Sequence, residues 1–280
     1  MYGNRSVDRH LGTHLVKQSA VVYDLCMPIS AKQVRFRYPQ GPIVLDGVSC
    51  AIRSGAITAI IGPNGSGKST LIRLLAGLRV PDAGQVTLDD QALAAISHKD
   101  RARSIAFIEQ RPNLAFDFGV RRVVEFGTHA TRADTNRVDD ALERFELADI
   151  ATKPYGHLSV GQQQRVSIAR AWVQIASNPN GYLLADEPCS AMDPKHSQST
   201  MGALRSLAEI GVGVGVVIHD LTSAAHWADD AIVLNQLGEV VAQGSADEAL
   251  TDSVLSAVFE VQIRRHELGD GQSVVIPVQD

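Results

Sequence analysis

The spacing of hydrophobic and polar positions changes several times along the chain, and the changes predict an α/β fold. Residues 33–38 alternate polar and apolar side chains, which is typical of a half-buried strand. The run Ile57–Ile61 is short, apolar and β-branched, which predicts a buried central strand. Further strands are predicted at Ile43–Ile52, at Gln85–Leu88 on a sheet edge, and at Ser104–Ile108, Tyr182–Ala185, Val212–Ile218 and Ala231–Asn235.

Helical periodicity begins after the run Ile57–Ile61. Leucines recur there at i, i+3, i+4 and i+7, which predicts one buried helix face made of Leu71, Leu74, Leu75 and Leu78. Strand patterns then stop between about residues 112 and 177, where helices are predicted at 120–129, 136–145 and 161–175. The layout is a strand-and-helix core with an all-helical block inserted into it.

Composition narrows the functional classes. The chain has 280 residues and a formal net charge of −5, which argues against a nucleic-acid partner. Its three cysteines form no CxxC pair, so the sequence indicates neither a zinc site nor a disulfide framework. No stretch reaches the roughly 20 apolar residues that a membrane-spanning helix needs. The bulk properties therefore fit a globular cytoplasmic protein.

A phosphate-binding loop follows the predicted strand Ile57–Ile61. The residues Gly62, Pro63, Asn64, Gly65, Ser66, Gly67, Lys68, Ser69 and Thr70 match the pattern G-x-x-x-x-G-K-[ST]. Glycines allow the backbone to curl so that successive N–H groups face one anion. Lys68 is predicted to reach the β- and γ-phosphates, and the Ser69 hydroxyl is predicted to bind Mg²⁺.

Two acids end the predicted strand Tyr182–Ala185. Asp186 is our candidate for the acid linked to Mg²⁺, and Glu187 is our candidate for the base that activates a water for in-line attack. An apolar run that ends in two acids is by itself most often a strand leaving a sheet. Its combination with the phosphate loop favours a site for ATP and Mg²⁺.

A third motif makes the interpretation specific. The segment that contains Ser159, Val160, Gly161 and Gln162 resembles the signature motif of the ABC transporter ATPases, whose common form is LSGGQ. Val160 replaces the first glycine and puts a β-branched side chain where backbone freedom is usual. The resemblance extends over about residues 31–259.

The resemblance implies roles for four further residues. Tyr38 matches the aromatic residue that stacks on adenine, although a core tyrosine at a strand end is an alternative. Gln110 matches the glutamine that senses Mg²⁺ and the permease, and His219 matches the switch histidine. Asp193, in the segment Ser190–Asp193, matches the loop that contacts the opposite subunit.

The family's architecture follows from the same resemblance. It implies a P-loop NTPase core, with a RecA-like mixed sheet and an antiparallel β subdomain, and the helical subdomain at about 112–177. We expect an ATPase domain at 30–262, a poorly ordered extension at 1–29 and a tail at 263–280. In this family two copies face each other, so Ser159, Val160, Gly161 and Gln162 are expected to contact ATP held by the other copy.

The resemblance also implies partners and a location. The segment from Arg111 to Gly127 and the residues around Asp186 and Asp193 resemble importers of iron siderophores, hemin and cobalamin, and are most similar to hemin importers. A homodimer would drive two permease copies at the cytoplasmic face of the inner membrane, supplied by a periplasmic binding protein. The alternatives are a siderophore or cobalamin substrate, a non-transport ATPase of the same family, and a small-molecule kinase.

Overall fold

The computed structural model describes residues 28–111, 117–131, 136–268 and 273–278. The strands are β1 (Ile29–Arg37), β2 (Ile43–Ile52), β3 (Ile57–Ile61), β4 (Ala83–Leu88), β5 (Gln91–Ala92), β6 (Ile105–Ile108), β7 (Tyr182–Asp186), β8 (Gly213–Val217), β9 (Asp230–Leu234), β10 (Val240–Ser245), β11 (Ile263–Glu267) and β12 (Ser273–Pro277). The α-helices are α1 (Lys68–Leu75), α2 (His98–Ser104), α3 (Val120–Glu125), α4 (Thr128–Thr131), α5 (Asn136–Arg144), α6 (Val160–Ile175), α7 (Pro194–Glu209), α8 (Leu221–Trp227), α9 (Ala246–Ala249) and α10 (Asp252–Phe259). Within these described ranges, no helix combines the length and the apolar character that crossing a bilayer requires.

The centre of the molecule is a six-stranded sheet in the order β10-β9-β3-β8-β7-β6. All neighbours are parallel except β9 and β10. Every residue of β3, β7 and β8 is buried, as expected for parallel strands that are covered on both faces. The carboxyl ends of β3, β6, β7 and β8 therefore meet at one edge, where the loops that follow them come together.

A second, antiparallel sheet has the order β2-β1-β4-β5. The prediction that Gln85–Leu88 is an edge strand was wrong, because β4 pairs with β1 on one side and with the two-residue β5 on the other. Asp89 and Asp90 both have positive φ, of 52° and 60°, and form the tight turn of this hairpin. Aspartate tolerates this backbone conformation better than most residues, which the hydrophobic pattern could not reveal.

The helix after the phosphate loop is shorter than its leucine pattern predicts. Leu71, Leu74 and Leu75 are fully buried, but Leu78 lies beyond the helix end and is 52% exposed. Gly77 adopts a φ of 68°, and its N–H and that of Leu78 donate to the carbonyls of Leu74 and Arg73. This Schellman turn ends the helix before the fourth leucine can reach the core.

The helical block contains α3 to α6 and shares a core with the central sheet. Buried residues of α3, α5 and α6 lie in one apolar cluster with Ala106 of β6 and Leu183 of β7. The single helix predicted at 120–129 is divided into α3 and α4 at Phe126–Gly127. A Cβ on Gly127 would lie 2.3 Å from the Arg170 carbonyl oxygen, so α6 packs directly against this turn. Residues 112–116 of the predicted block lie outside the described residues, as do residues 132–135.

Both predicted terminal segments are only partly described. Residues 1–27 of the predicted extension lie outside the described residues, whereas Ile29 already belongs to β1 and pairs with Ile52 and Leu88. The predicted tail 263–280 contains the β11–β12 hairpin. Thr222 of α8 holds this hairpin, because its hydroxyl donates to the Val275 carbonyl and accepts from the Val275 N–H.

The early end of α1 can be tested with two leucines from the same predicted stripe. Leu74→Ala should lower the free energy of unfolding by about 2–5 kcal/mol, since it opens a cavity in the core. Leu78→Ala should change it by no more than about 0.5 kcal/mol, because this side chain is already half exposed. Urea denaturation of both variants measures the difference, and equal losses would contradict the observed helix end.

Candidate functional site

The phosphate loop connects the carboxyl end of β3 to the start of α1. Gly67 is the N-cap of α1, with a φ of 93°, and no side chain caps the helix there. A Cβ on Gly67 would lie 2.8 Å from the Leu45 side chain, so only glycine fits this position. The first N–H groups of α1 therefore point out of an uncapped helix start, which is a suitable place for an anion.

Lys68 folds back over the loop that precedes it. Its Nζ donates to the carbonyl oxygens of Gly62 and Pro63, both at 2.8 Å. Burial lowers the pKa of Lys68, and the nearby carboxylates of Glu187 and Asp186 oppose that effect. The Ser66 hydroxyl is also buried and has no hydrogen-bond partner within the described part of the chain. A buried ammonium, an orphaned hydroxyl and an uncapped helix start form a donor set that fits phosphate oxygens.

Asp186, the last residue of β7, is completely buried. The Ser69 hydroxyl donates to one carboxylate oxygen at 2.8 Å, and the Arg73 guanidinium donates to the other at 3.0 Å. Burial raises the pKa of Asp186, while the hydrogen bond from Ser69 and the charge of Arg73 lower it. Sequence reasoning missed Arg73, although its position four residues after Ser69 places both on one face of α1.

Three side chains that follow three parallel strands come together at Glu187, the residue after Asp186. Gln110 follows β6, Glu187 follows β7 and His219 follows β8. Gln110 Nε2 donates to Glu187 Oε2 at 2.7 Å, and His219 Nε2 lies 2.5 Å from Glu187 Oε1. Glu187 has a φ of 51°, a left-handed conformation that costs a non-glycine residue about 1 kcal/mol or more. This turn directs the carboxylate toward Gln110 and His219.

Tyr38 lies directly after β1 and beside the helix that follows the phosphate loop. Its hydroxyl is 3.2 Å from the Thr70 hydroxyl, and its ring packs edge-on against Phe36. The Arg79 guanidinium lies over the ring, 5.8 Å from its centre. Tyr38 is only partly buried, so the structure places it both against a core residue and next to the candidate site. In the phosphate loop itself, the Asn64 carbonyl accepts a hydrogen bond from the Gln236 side chain.

The segment Ser159–Gln162 begins α6 and belongs to the helical block. Ser159 and Gln162 form a capping box, in which each side chain accepts a hydrogen bond from the other residue's backbone N–H. This arrangement satisfies two N–H groups at the helix start. None of the hydrogen bonds described joins this segment to the phosphate loop of the same protomer, and the side chains of Ser159 and Gln162 bond within the segment itself.

Val160 and Gly161 have different surroundings. Val160 is the first residue of α6, has no positive φ, and exposes 58% of its surface. A Cβ on Gly161 would lie 2.8 Å from the Ala191 carbonyl oxygen. The position that requires glycine is therefore 161, while Val160 fits without strain.

Asp193 caps α7 in this protomer. Its side chain accepts from the backbone N–H of His196 at 3.0 Å and lies 2.7 Å from the imidazole Nδ1 of the same residue. These contacts with His196 lower the pKa of Asp193. The side chain is exposed, so it keeps access to other molecules while it caps the helix.

Comparison with known proteins identifies the family. The family model described as ABC transporter matches residues 45–190. A hemin import ATP-binding protein HmuV from Bordetella pertussis is 36% identical over 262 residues, which cover 89% of this chain and 99% of that protein. Another protein of that name, from Pseudomonas entomophila, is 39% identical over 79% of this chain and 88% of its own length.

Solved structures agree with this assignment. A dimeric ATP-binding cassette in a post-hydrolysis state, bound to ADP and Pi, has a TM-score of 0.70 and 31% identity, over 78% of this chain and 98% of its own. A bacterial Atm1-family ABC exporter with ATP bound has a TM-score of 0.71 and 27% identity, over 81% of this chain and 40% of its own. These neighbours confirm the predicted P-loop NTPase fold class. The chain belongs to the ABC transporter family, as one of its ATP-binding, ATP-hydrolysing subunits.

Proposed function

We propose that the chain is the energy-coupling subunit of an ABC importer for hemin, and that Glu187 is its catalytic base. The observation that carries the catalytic assignment is the position of the Glu187 carboxylate. It follows the buried Asp186 directly and is held by Gln110 on one oxygen and His219 on the other. A base fixed on both oxygens has a single orientation toward a water at the γ-phosphate.

Phosphate binding is assigned to the loop Gly62–Thr70. Lys68 would exchange the carbonyls of Gly62 and Pro63 for β- and γ-phosphate oxygens, and the first N–H groups of α1 would add donors. The Tyr38 ring would support the adenine. Lys68 and the start of α1 lie at the carboxyl end of β3, and Tyr38 lies directly after β1, with its hydroxyl 3.2 Å from that of Thr70.

Mg²⁺ is assigned to Ser69 and Asp186, with Gln110 beside them. The Ser69 hydroxyl and the Asp186 carboxylate lie 2.8 Å apart and present the oxygen ligands that Mg²⁺ prefers. Within the described ranges, no cluster of three or more His, Cys, Asp or Glu side chains could hold a metal by itself. This fits an ion that takes most of its ligands from nucleotide phosphates and water. Mg²⁺ bound there would neutralise negative charge that develops on the phosphates.

Hydrolysis would use the residues at the ends of β6, β7 and β8. Glu187 takes a proton from the attacking water, whose oxygen forms a bond to the γ-phosphorus as the bond to the β,γ-bridging oxygen breaks. Gln110 and His219 keep the Glu187 carboxylate in line during this step. The products are ADP and inorganic phosphate.

A homodimer would complete each ATP site. Ser159, Val160, Gly161 and Gln162 begin a helix in the helical block and have no partner in the phosphate loop of their own protomer among the contacts described. The start of α6 offers backbone N–H groups to an anion once the capping box opens. Asp193, exposed at the start of α7, is assigned to the contact between the copies.

The proposal of an import function rests on relatives that align with this chain over most of their own lengths. The HmuV proteins from Bordetella pertussis and Pseudomonas entomophila are named for hemin import, and they align with this chain over 99% and 88% of their lengths. By analogy the homodimer would dock two permease copies at the cytoplasmic face of the inner membrane, and a periplasmic binding protein would deliver hemin.

Ferric siderophore or cobalamin import is the second candidate, since the sequence resembles the whole importer group. A non-transport ATPase of the family is less well supported, because these relatives are named as import proteins.

Glu187→Gln should abolish most hydrolysis and leave ATP binding intact. The amide keeps the shape and hydrogen-bonding reach of the side chain but cannot accept a proton, so kcat should fall about 100-fold or more. ATPase assays combined with binding of a fluorescent ATP analogue measure both effects. Glu143→Gln, an exposed change on α5, is the matched control and should keep normal turnover. Near-normal hydrolysis in the Glu187 variant would refute its role as the base.

The two signature positions should respond differently to exchange. Gly161→Val should lower kcat roughly tenfold to a hundredfold, because its Cβ would push the start of α6 away from Ala191. Val160→Gly should stay within about twofold of the parent, since the Val160 side chain fits without strain. ATPase rates of both variants, at matched thermal stability, test the assignment. A larger loss at position 160 than at 161 would contradict it.

The transported substrate can be tested with the complete transporter in liposomes. Hemin-loaded binding protein should stimulate ATP hydrolysis and hemin uptake, while the unloaded protein should stimulate much less. Binding proteins loaded with a ferric siderophore or with cobalamin are the comparison arms. Stimulation by one of these, with none by hemin, would reject hemin and leave the ATPase assignment standing.

A further inference from the structure

The side chains of α6 bind the outer edge of the central sheet. Strand β6 is the last strand of that sheet, and alternate backbone carbonyls face outward from it. Gln174 donates to the carbonyls of Ala102 and Ile105, and Arg170 donates to that of Phe107 at 3.1 Å. Gln164 donates to the carbonyl of Glu109 at 3.2 Å. One helix therefore satisfies alternate carbonyls along this edge strand and just after it, together with one carbonyl of α2.

The bond from Gln164 differs from the others in where it ends. Glu109 is the residue before Gln110, whose side chain donates to Glu187 at 2.7 Å. Gln164 also lies five residues after Ser159, the N-cap of α6. Both residues are therefore in the first two turns of this helix. A continuous set of contacts thus runs from the signature segment through Gln164 and Glu109 to the candidate base.

Stability alone does not account for a glutamine at position 164. Only 1% of its surface is exposed, and its Oε1 has no hydrogen-bond partner among the residues that the structure describes. A buried acceptor without a partner is unfavourable, and an apolar side chain of the same size would avoid it. The donor that reaches Glu109 is the part of the side chain that an apolar residue would lack.

We propose that Gln164 is a positioning residue that links the start of α6 to Gln110, so that the position of the signature segment sets the alignment of the Glu187 carboxylate. The inference rests on the proposed roles of Glu187 and of the signature segment. When Ser159–Gln162 engage a nucleotide on the opposite copy, movement of α6 pulls on the Glu109 carbonyl. Gln110 then shifts relative to Glu187, so each ATP site responds to the engagement of the other.

The test compares two glutamines of α6 in the complete transporter. Gln164→Met keeps the side-chain volume and removes the donor, and it should lower kcat about tenfold while the KM for ATP changes less than about twofold. Gln174→Met removes the bonds from the same helix to the carbonyls of Ala102 in α2 and Ile105 in β6, and it should keep kcat within about twofold. Both variants should melt within about 4 °C of the parent. Equal losses of kcat, or no loss in Gln164→Met, would overturn the proposal.

A double variant distinguishes a positioning role of Gln164 from a general packing effect, because positioning should act only through Gln110. In a Gln110→Ala background, adding Gln164→Met should lower kcat by less than about twofold further, because the contact through which it acts is already gone. Multiplicative losses in the double variant would overturn the proposal. If Gln164→Met fails to fold, Gln164→Asn replaces it, since the shorter amide cannot reach Glu109 and the same losses are expected.

Failure of the proposed function has a different signature. Normal hydrolysis by Glu187→Gln would reject the catalytic base and with it this inference. Loss of hydrolysis in Glu187→Gln, with parental kcat in Gln164→Met, would reject only the role of Gln164.

Discussion

The buried carboxylate of Asp186 is the constraint on which the site depends. A carboxylate removed from water is costly unless charges and hydrogen bonds surround it. Here Ser69 and Arg73, both on α1, bind one oxygen each. Because the last residues of the phosphate loop form the first turn of α1, these two bonds fix the loop against the end of β7. Loss of either partner would leave a buried charge only partly compensated.

The charged groups around Asp186 form a set in which each group has a partner. Lys68 is held by two backbone carbonyls of its own loop, and Glu187 is held by Gln110 and His219. Burial disfavours the charged forms of both Lys68 and Asp186; the charges of Glu187 and Asp186 raise the pKa of Lys68 again, and the hydrogen bond from Ser69 and the charge of Arg73 lower that of Asp186. In the proposed function, nucleotide phosphates would replace the backbone carbonyls that now hold Lys68, while Gln110 and His219 would stay on Glu187, so the site is arranged before its ligand arrives.

Helix α6 connects the segment that resembles the signature motif with the outer edge of the central sheet. Its first turn is the signature segment, its apolar face contributes to the core shared with β6 and β7, and its polar face binds the outer edge of β6. A helix that packs this closely moves as a unit, because packed interfaces shift between discrete arrangements. This is the physical basis of the proposed coupling between the helical block and the Glu187 carboxylate.

The sequence by itself determined the parts that depend on local pattern. The phosphate loop, the buried strands β3 and β7, and the acids at Asp186 and Glu187 are each encoded in a few consecutive residues, so spacing and side-chain type predicted them. The family resemblance added Gln110 and His219, which are isolated in the sequence. Their meeting at Glu187 follows from a parallel sheet that brings the ends of its strands to one edge.

Tertiary structure alone decided the rest. A helical period predicted Leu78 in the core, but the turn at Gly77 ended α1 first. The signature motif usually has glycine at both position 160 and position 161, and this chain keeps it only at 161. The Ala191 carbonyl, which leaves no room for a Cβ at 161, shows that this is the position that needs glycine. The partners of Arg73 and Gln164, at Asp186 and Glu109, lie 113 and 55 residues away along the chain. Periodicity reports neighbours along one element, whereas these contacts depend on how separate elements pack.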